Sequence, residues 1–216
     1  MFNTFWLNLY KLKFNTMKNF LFTLILIFTI SLGYSQESKA YLGVSLGMAI
    51  PGGDAGEDVK TGLDIGFLNF GYRFSEKWGA TLNLVSSGHV LDDYDFAAIG
   101  VAYWGIGPMY TASVSEKISW DFKPQLALGL VGKYAIDSGD STLDGIIEDD
   151  WTLKGSGFVI GNSFVFGTNS GLKFSLNLDY LIGKLNEFDM GGVSVDIDDE
   201  NGLNKLSLGA GLRYNF

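Results

Sequence analysis

The sequence has no cysteine, three prolines and one histidine in 216 residues. Without cysteine there is no disulfide framework, zinc–thiolate site, iron–sulfur cluster or acylated lipoprotein cysteine. Charge is scarce as well. Asp, Glu, Lys and Arg make up 18% of the chain, and acids outnumber bases 24 to 15. That balance argues against a nucleic-acid partner, whose phosphates require a basic surface. Glycine pairs such as Gly105 and Gly107 fall inside strand-like patterns rather than before a helix, so no phosphate-cradling loop is present. The abundant residues are glycine, 29 copies, and the aromatics, 15%. Together they suit many short strands and tight turns carrying large apolar side chains, and they oppose disorder.

Met17, Lys18 and Asn19 lead into the apolar run Phe20–Ile30, followed by Gly33 and Ser35 at the −3 and −1 positions of a cut before Gln36. This is the pattern of a secretory signal peptide, too short to span a bilayer as a helix of about 20 residues. Translation is expected to begin at Met17 and cleavage to follow Ser35, which leaves 36–216 as one domain. The leader holds Lys11, Lys13 and Lys18 and no acid, so the mature chain carries 12 bases against 24 acids.

Beyond Lys39 the chain reads as alternating strands. In Ile118–Val131 one face is Ile118, Trp120, Phe122, Pro124, Leu126, Leu128 and Leu130, and the other is smaller or polar. Gly171–Gly183 and Lys205–Phe216 repeat the pattern. Five further segments, about 39–50, 61–74, 78–90, 96–112 and 155–167, bring the count to eight. Two of these slip register. A bulge near Phe67 would reconcile Leu63, Ile65 and Phe67 with Leu68, Phe70 and Tyr72, and a second is expected within 96–112.

A soluble sandwich would turn a charged face to water. Here the face opposite the large apolar residues is Gly, Ala, Ser and Asn with a few charges, which suits a narrow packed lumen. Eight strands close a barrel that side chains just fill. Connections near 75–77, 113–117 and 168–170 are short, and those at 51–60, 87–95, 132–154 and 183–202 are long. They alternate strictly, as in a transmembrane barrel with periplasmic turns and external loops. The long connections hold 18 of the 24 acids. The fold class expected is all-β: an eight-stranded antiparallel up-and-down transmembrane β-barrel with long acidic external loops.

The leader ending Tyr34-Ser35-Gln36, the stretch FGYRFSEKWGATLNL, the IGPMY segment and the closing LSLGAGLRYNF resemble the PorT-like outer-membrane β-barrel family of Bacteroidota. The resemblance covers most of 36–216. It implies a place in the cell outer membrane and a C-terminal strand, ending at Phe216, that the barrel-assembly machinery recognises. It implies no particular activity.

Candidate chemistry is sparse. His89 lies beside Ser86 and Ser87 and before Asp92, Asp93 and Asp95, the ingredients of a rim hydrolase without its geometry. The runs Asp137–Gly145 and Asp196–Gly202 superficially resemble calcium loops but lack the glycine and the closing glutamate of that motif in their places. They read as solvated loops that would at most bind divalent ions loosely and bridge to lipopolysaccharide. Asp121, Lys123, Lys173, Asp179, Lys205 and Arg213 fall on the lumen face, where mutual pairing would block conduction. The reading is a structural or interaction barrel that is not an enzyme. No residue is assigned a catalytic, cofactor or metal role, and no cofactor is assigned. The partners are membrane lipid and lipopolysaccharide, the assembly machinery and another envelope protein. A narrow channel for small solutes is the alternative, and a rim-active enzyme around His89 ranks below it.

Overall fold

The computed structural model describes residues 39–53, 56, 58–91, 97–136, 151–167, 171–190 and 193–216. The leader and the acidic stretches 92–96 and 137–150 lie outside the described residues. Eight strands follow in order: β1 (Ala40–Gly52), β2 (Gly62–Arg73), β3 (Trp78–Val90), β4 (Ala97–Ser115), β5 (Ile118–Ile136), β6 (Trp151–Phe166), β7 (Gly171–Met190) and β8 (Val193–Asn215). Each pairs antiparallel with its neighbour, and β1 returns to β8 from Tyr41 opposite Asn215 to Gly52 opposite Asn204. The expected up-and-down, eight-stranded barrel is the one observed.

Strand periodicity then divides the side chains. Odd-numbered residues of β1, β3, β4, β6 and β7 (as far as Leu185) and of β8 (from Leu203) point inward, and even-numbered ones outward. The outward set is large, apolar and exposed: Val44, Leu46 and Met48 on β1, Leu126 and Leu128 on β5, and Leu172 through Ile182 on β7. In water such a surface would aggregate, whereas in a bilayer it is the required lipid contact. Aromatic rings ring the short-turn end. Trp78 meets Tyr110 edge-on at 5.1 Å, Trp120 lies 5.9 Å from Phe122, and Phe166 lies 6.1 Å from Phe174. Such rings sit at the level of the headgroups.

The bulge near Phe67 is present. Register shifts between Gly66 and Leu68 against β3, and between Gly43 and Ser45 of β1 against the same stretch. The extra residue turns Phe67 outward and lets Leu68, Phe70 and Tyr72 face lipid in their turn. The second expected bulge is corrected. The β3–β4 register runs unbroken from Val90 opposite Ala98 to Trp78 opposite Tyr110. The irregularity falls on β5, where Gly129 and Leu130 oppose the single residue Tyr103. Gly129 adopts φ +57°, the left-handed glycine of a bulge. Consequently Leu130, placed by alternation on the lipid face, is fully buried inside.

Two further corrections concern the ends of strands. The span 183–202, expected as a long loop, is mostly ladder, with Gly183 opposite Leu203 and Met190 opposite Val193. Only residues 191 and 192 separate β7 from β8. Glu187, Asp189 and Asp196 therefore stand on strands. Likewise β5 extends to Ile136 and β6 begins at Trp151. Once a ladder rises beyond the lipid, nothing demands apolar residues on its outer face, so the alternation that marks a strand fades while the pairing continues. The changeover is visible where outward Phe158 and Ile182 pair, and the next outward pair is Ser156 and Lys184.

Replacing Gly129 with Ala forces a side chain into left-handed backbone although open space surrounds it. We expect a cost of about 1 kcal/mol, read as a lower urea midpoint of the barrel refolded in lipid vesicles. Gly88→Ala, which also meets open space but lacks the positive φ, should leave the midpoint unchanged.

Candidate functional site: the packed lumen

Closing eight strands brings their inward residues within reach of one another, and they fill the interior in layers. Near the short turns, Arg213 Nη1 donates to Asp121 Oδ2, and Thr111 Oγ1 donates to the other carboxylate oxygen at 2.7 Å. The Arg213 guanidinium also lies 4.3 Å from the Tyr41 ring centre, a cation–π contact. Tyr41 and Met109, joined by a 3.6 Å O–H···S contact, add apolar bulk beside the pair.

The middle layer is neutral and polar. Asn83 Nδ2 donates to Gln125 Oε1 at 3.3 Å, Gln125 Nε2 donates to Thr81 Oγ1 at 3.4 Å, and the Thr81 hydroxyl reaches the Phe70 carbonyl at 3.0 Å. Behind this net Pro108 and Pro124 face outward. Neither can donate to the ladder, and the β4–β5 pairing lapses between Ile106 and Tyr110. Across the lumen Ser163 donates to Asn177 Oδ1 at 2.7 Å.

Toward the long-loop end, Lys205 Nζ lies 2.6 Å from Asp64 Oδ1 and 3.3 Å from Ser87 Oγ, with the Tyr103 ring 5.4 Å away. His89 completes the group: Nε2 is 3.1 Å from Ser87 Oγ, and Nδ1 is 3.0 Å from the Lys60 carbonyl. The carbonyl fixes the proton on Nδ1, so Ser87 donates to Nε2. The opposite wall at this level is apolar, with Ile99, Val101, Leu130, Val159, Leu181 and Leu185 in one cluster, and Val59, Leu91 and Leu153 packed against it.

All six charges expected on the lumen face point inward. Arg213 pairs with Asp121. Asp179 accepts the Asn162 amide at 3.2 Å, and Lys123 makes no hydrogen bond or ion pair among the described residues. Lys205 takes Asp64, a carboxylate that sequence reasoning passed over although its place between Leu63 and Ile65 assigns it to the inner face. The apolar cluster was also missed, because Leu130 reaches it only through the Gly129 bulge. Ser87 and His89 do meet as a nucleophile and base would, but both are buried, at 3% and 4% exposure, beside the Lys205 cation. Ser86 faces the other way, and Asp92, Asp93 and Asp95 lie outside the described residues.

Outside the band, Lys154 Nζ bridges Asp189 at 2.7 Å and Glu187 at 3.1 Å. The Asp189 hydrogen bond first, then that of Glu187, holds the ammonium above the ordinary lysine value. The Asp137–Gly145 run is not among the described residues. Asp196–Gly202 lies on β8, with Asp196 directly opposite Glu187.

A closed antiparallel barrel with an apolar outer belt and a polar, filled interior is an outer-membrane β-barrel, and that belt places the chain in the outer membrane. No family model matches the chain, and no curated protein matches it. Solved structures do. Neisserial surface protein A (NspA) is similar over 84% of this chain and all of its own, with a TM-score of 0.54 and 13% identity. Ail, the attachment invasion locus protein of Yersinia pestis, solved with the heparin analogue sucrose octasulfate, is similar over 83% of this chain and all of its own, with a TM-score of 0.51 and 13% identity. At that identity the likeness is one of fold.

Removing one partner of the Arg213–Asp121 pair leaves a buried, uncompensated charge. Arg213→Met should cost about 3–5 kcal/mol, and Arg213→Met combined with Asp121→Leu should recover most of that loss. Urea titration of the vesicle-refolded variants measures both. A double variant no more stable than the single one would show that the pair does not act as a unit.

Proposed function

We propose that the chain is a closed outer-membrane barrel with a structural or interaction role, presenting acidic extensions outside the cell and catalysing no reaction. The observation that carries this reading is the lumen. Ionic, polar and apolar layers succeed one another from the turns to the long-loop end, and a cavity among them, beside Lys123 and Arg213, measures about 10 Å³. A solute pore needs a continuous path, and the side chains of these layers interrupt it. The buried Ser87–His89 pair serves this reading as a tie between β3 and the segment before β2.

Ail was solved with a polysulfated ligand, but the present chain favours the opposite charge. Its extracellular portions hold most of the acids, so a polyanion is repelled. The partners expected are cationic envelope proteins, and lipopolysaccharide joined through divalent ions. Assembly is expected to use the C-terminal strand and Phe216. Within the outer-membrane class, the PorT-like assignment rests on the motifs of the leader, the β2–β3 turn and the last strand.

Single-channel recording of the purified protein in planar bilayers tests the reading. Heat-modifiable gel mobility without conductance is the expected result, and reproducible conductance steps would replace the closed barrel with the narrow channel. Deleting Phe216 should lower the amount of assembled barrel in the membrane more than any single extracellular substitution. Unchanged assembly would remove the last residue from the assembly signal.

A further inference from the structure

The cavity beside Lys123 and Arg213 has a lining that its size alone does not convey. At about 10 Å³ it has room for one water-sized or monatomic occupant. Its polar wall comes from Lys123, Arg213, Asn69, Asn177, Ser163 and Ser175, and no carboxylate lines it.

Donors dominate that wall. Lys123 is 4% exposed and, among the described residues, makes no hydrogen bond or ion pair. Arg213 gives Nη1 to Asp121, while its Nε is buried without an acceptor. Ser163 occupies the Asn177 oxygen, leaving the Asn177 amide nitrogen to the cavity. The Ser175 hydroxyl makes no hydrogen bond among the described residues. Asp179, which shares the field of Lys123, accepts the Asn162 amide and stands outside the lining.

For the protons of a water molecule the lining offers as acceptors only the Asn69 oxygen, its amide nitrogen being given to Ser45, and the two serine hydroxyls, and it sets two cations beside them. An anion accepts from Lys123, Arg213 Nε, the Asn177 amide and the Ser175 hydroxyl, and charge-assisted hydrogen bonds of this kind are the strong ones. Asp121 balances Arg213, and Asp179 lies in the field of Lys123 without an ion pair to it, so the Lys123 ammonium keeps its hydrogen-bonding capacity for the cavity. We infer that the cavity is a binding site for a single monatomic anion of the halide class, held between Lys123 and Arg213. The bound ion completes the interior charge balance and locks β1, β5 and β8 around it. This inference is independent of whether the protein serves structure or interaction.

Crystals of the protein purified from membranes and grown with bromide in place of chloride test the site directly. One anomalous peak within hydrogen-bond reach of Lys123 Nζ is expected, and density there without anomalous signal overturns the site. In solution, heat-modifiable mobility should persist to higher temperature in chloride than in gluconate at equal ionic strength. Above the dissociation constant, each tenfold rise in chloride should raise the folded-to-unfolded ratio about tenfold. Lys123→Gln should abolish that difference. If Lys123→Gln does not assemble, Ser175→Ala, which removes one donor and uncovers no charge, should weaken it. Equal behaviour of the wild-type protein in the two salts, or a chloride effect undiminished in both variants, overturns the proposal.

Discussion

Hydrocarbon offers a backbone no hydrogen-bond partner, and every other feature of this protein answers to that constraint. An open sheet would leave two rows of amide and carbonyl groups in lipid, each costing several kcal/mol. The register from Tyr41 opposite Asn215 to Gly52 opposite Asn204 removes both rows at once. Closure fixes the outer face as apolar and makes the inner face small, because eight strands leave little more than side-chain width inside. Glycine is the residue that yields space in such a ring. At Gly47, for example, an added Cβ would strike the backbone of Leu208 and Gly209 on the neighbouring strand.

The polar interior follows from the same arithmetic of faces. Lipid claims the large apolar side chains, so charge and amide groups collect within, and their desolvation must be offset by pairing. Arg213 with Asp121 and Lys205 with Asp64 supply that offset at the two ends of the ionic layers. The apolar cluster at the long-loop end departs from the scheme. There β4 is hydrophobic on both faces, with Trp104 and Ile106 toward lipid and Ile99, Val101 and Tyr103 inside. Such a strand reads as a broken alternation although its pairing with β3 is regular.

Wherever one face meets lipid, the fold was legible in the sequence. Period-two apolar patterns located all eight strands, the Phe67 slip and the six inward charges. Legibility ended where that contrast ends. Above the lipid, β7 and β8 pair through residues such as Glu187, Asp189 and Asp196, which carry the composition of a loop. Inside the barrel, partnership depends on shear between strands far apart in sequence. Lys205 and Asp64 are 141 residues apart, and no spacing in the chain announces that they meet. The Ser87–His89 contact, by contrast, was readable as an i, i+2 pair on one face. Its burial required the packed wall opposite.

The longest strands, of 20 and 23 residues, are the two that carry the acidic hairpin. Counted from Lys184 to Met190, β7 runs on for roughly 20 Å beyond the last lipid-facing pair, at about 3.4 Å per residue, and its pairing with β8 is broken once, between Leu185 and Glu187. This gives the protein reach. Lys154 braces the base of this extension through Glu187 and Asp189. A tether of the same length would search a large volume and lose that freedom on contact. A paired ribbon has little of that freedom left to lose.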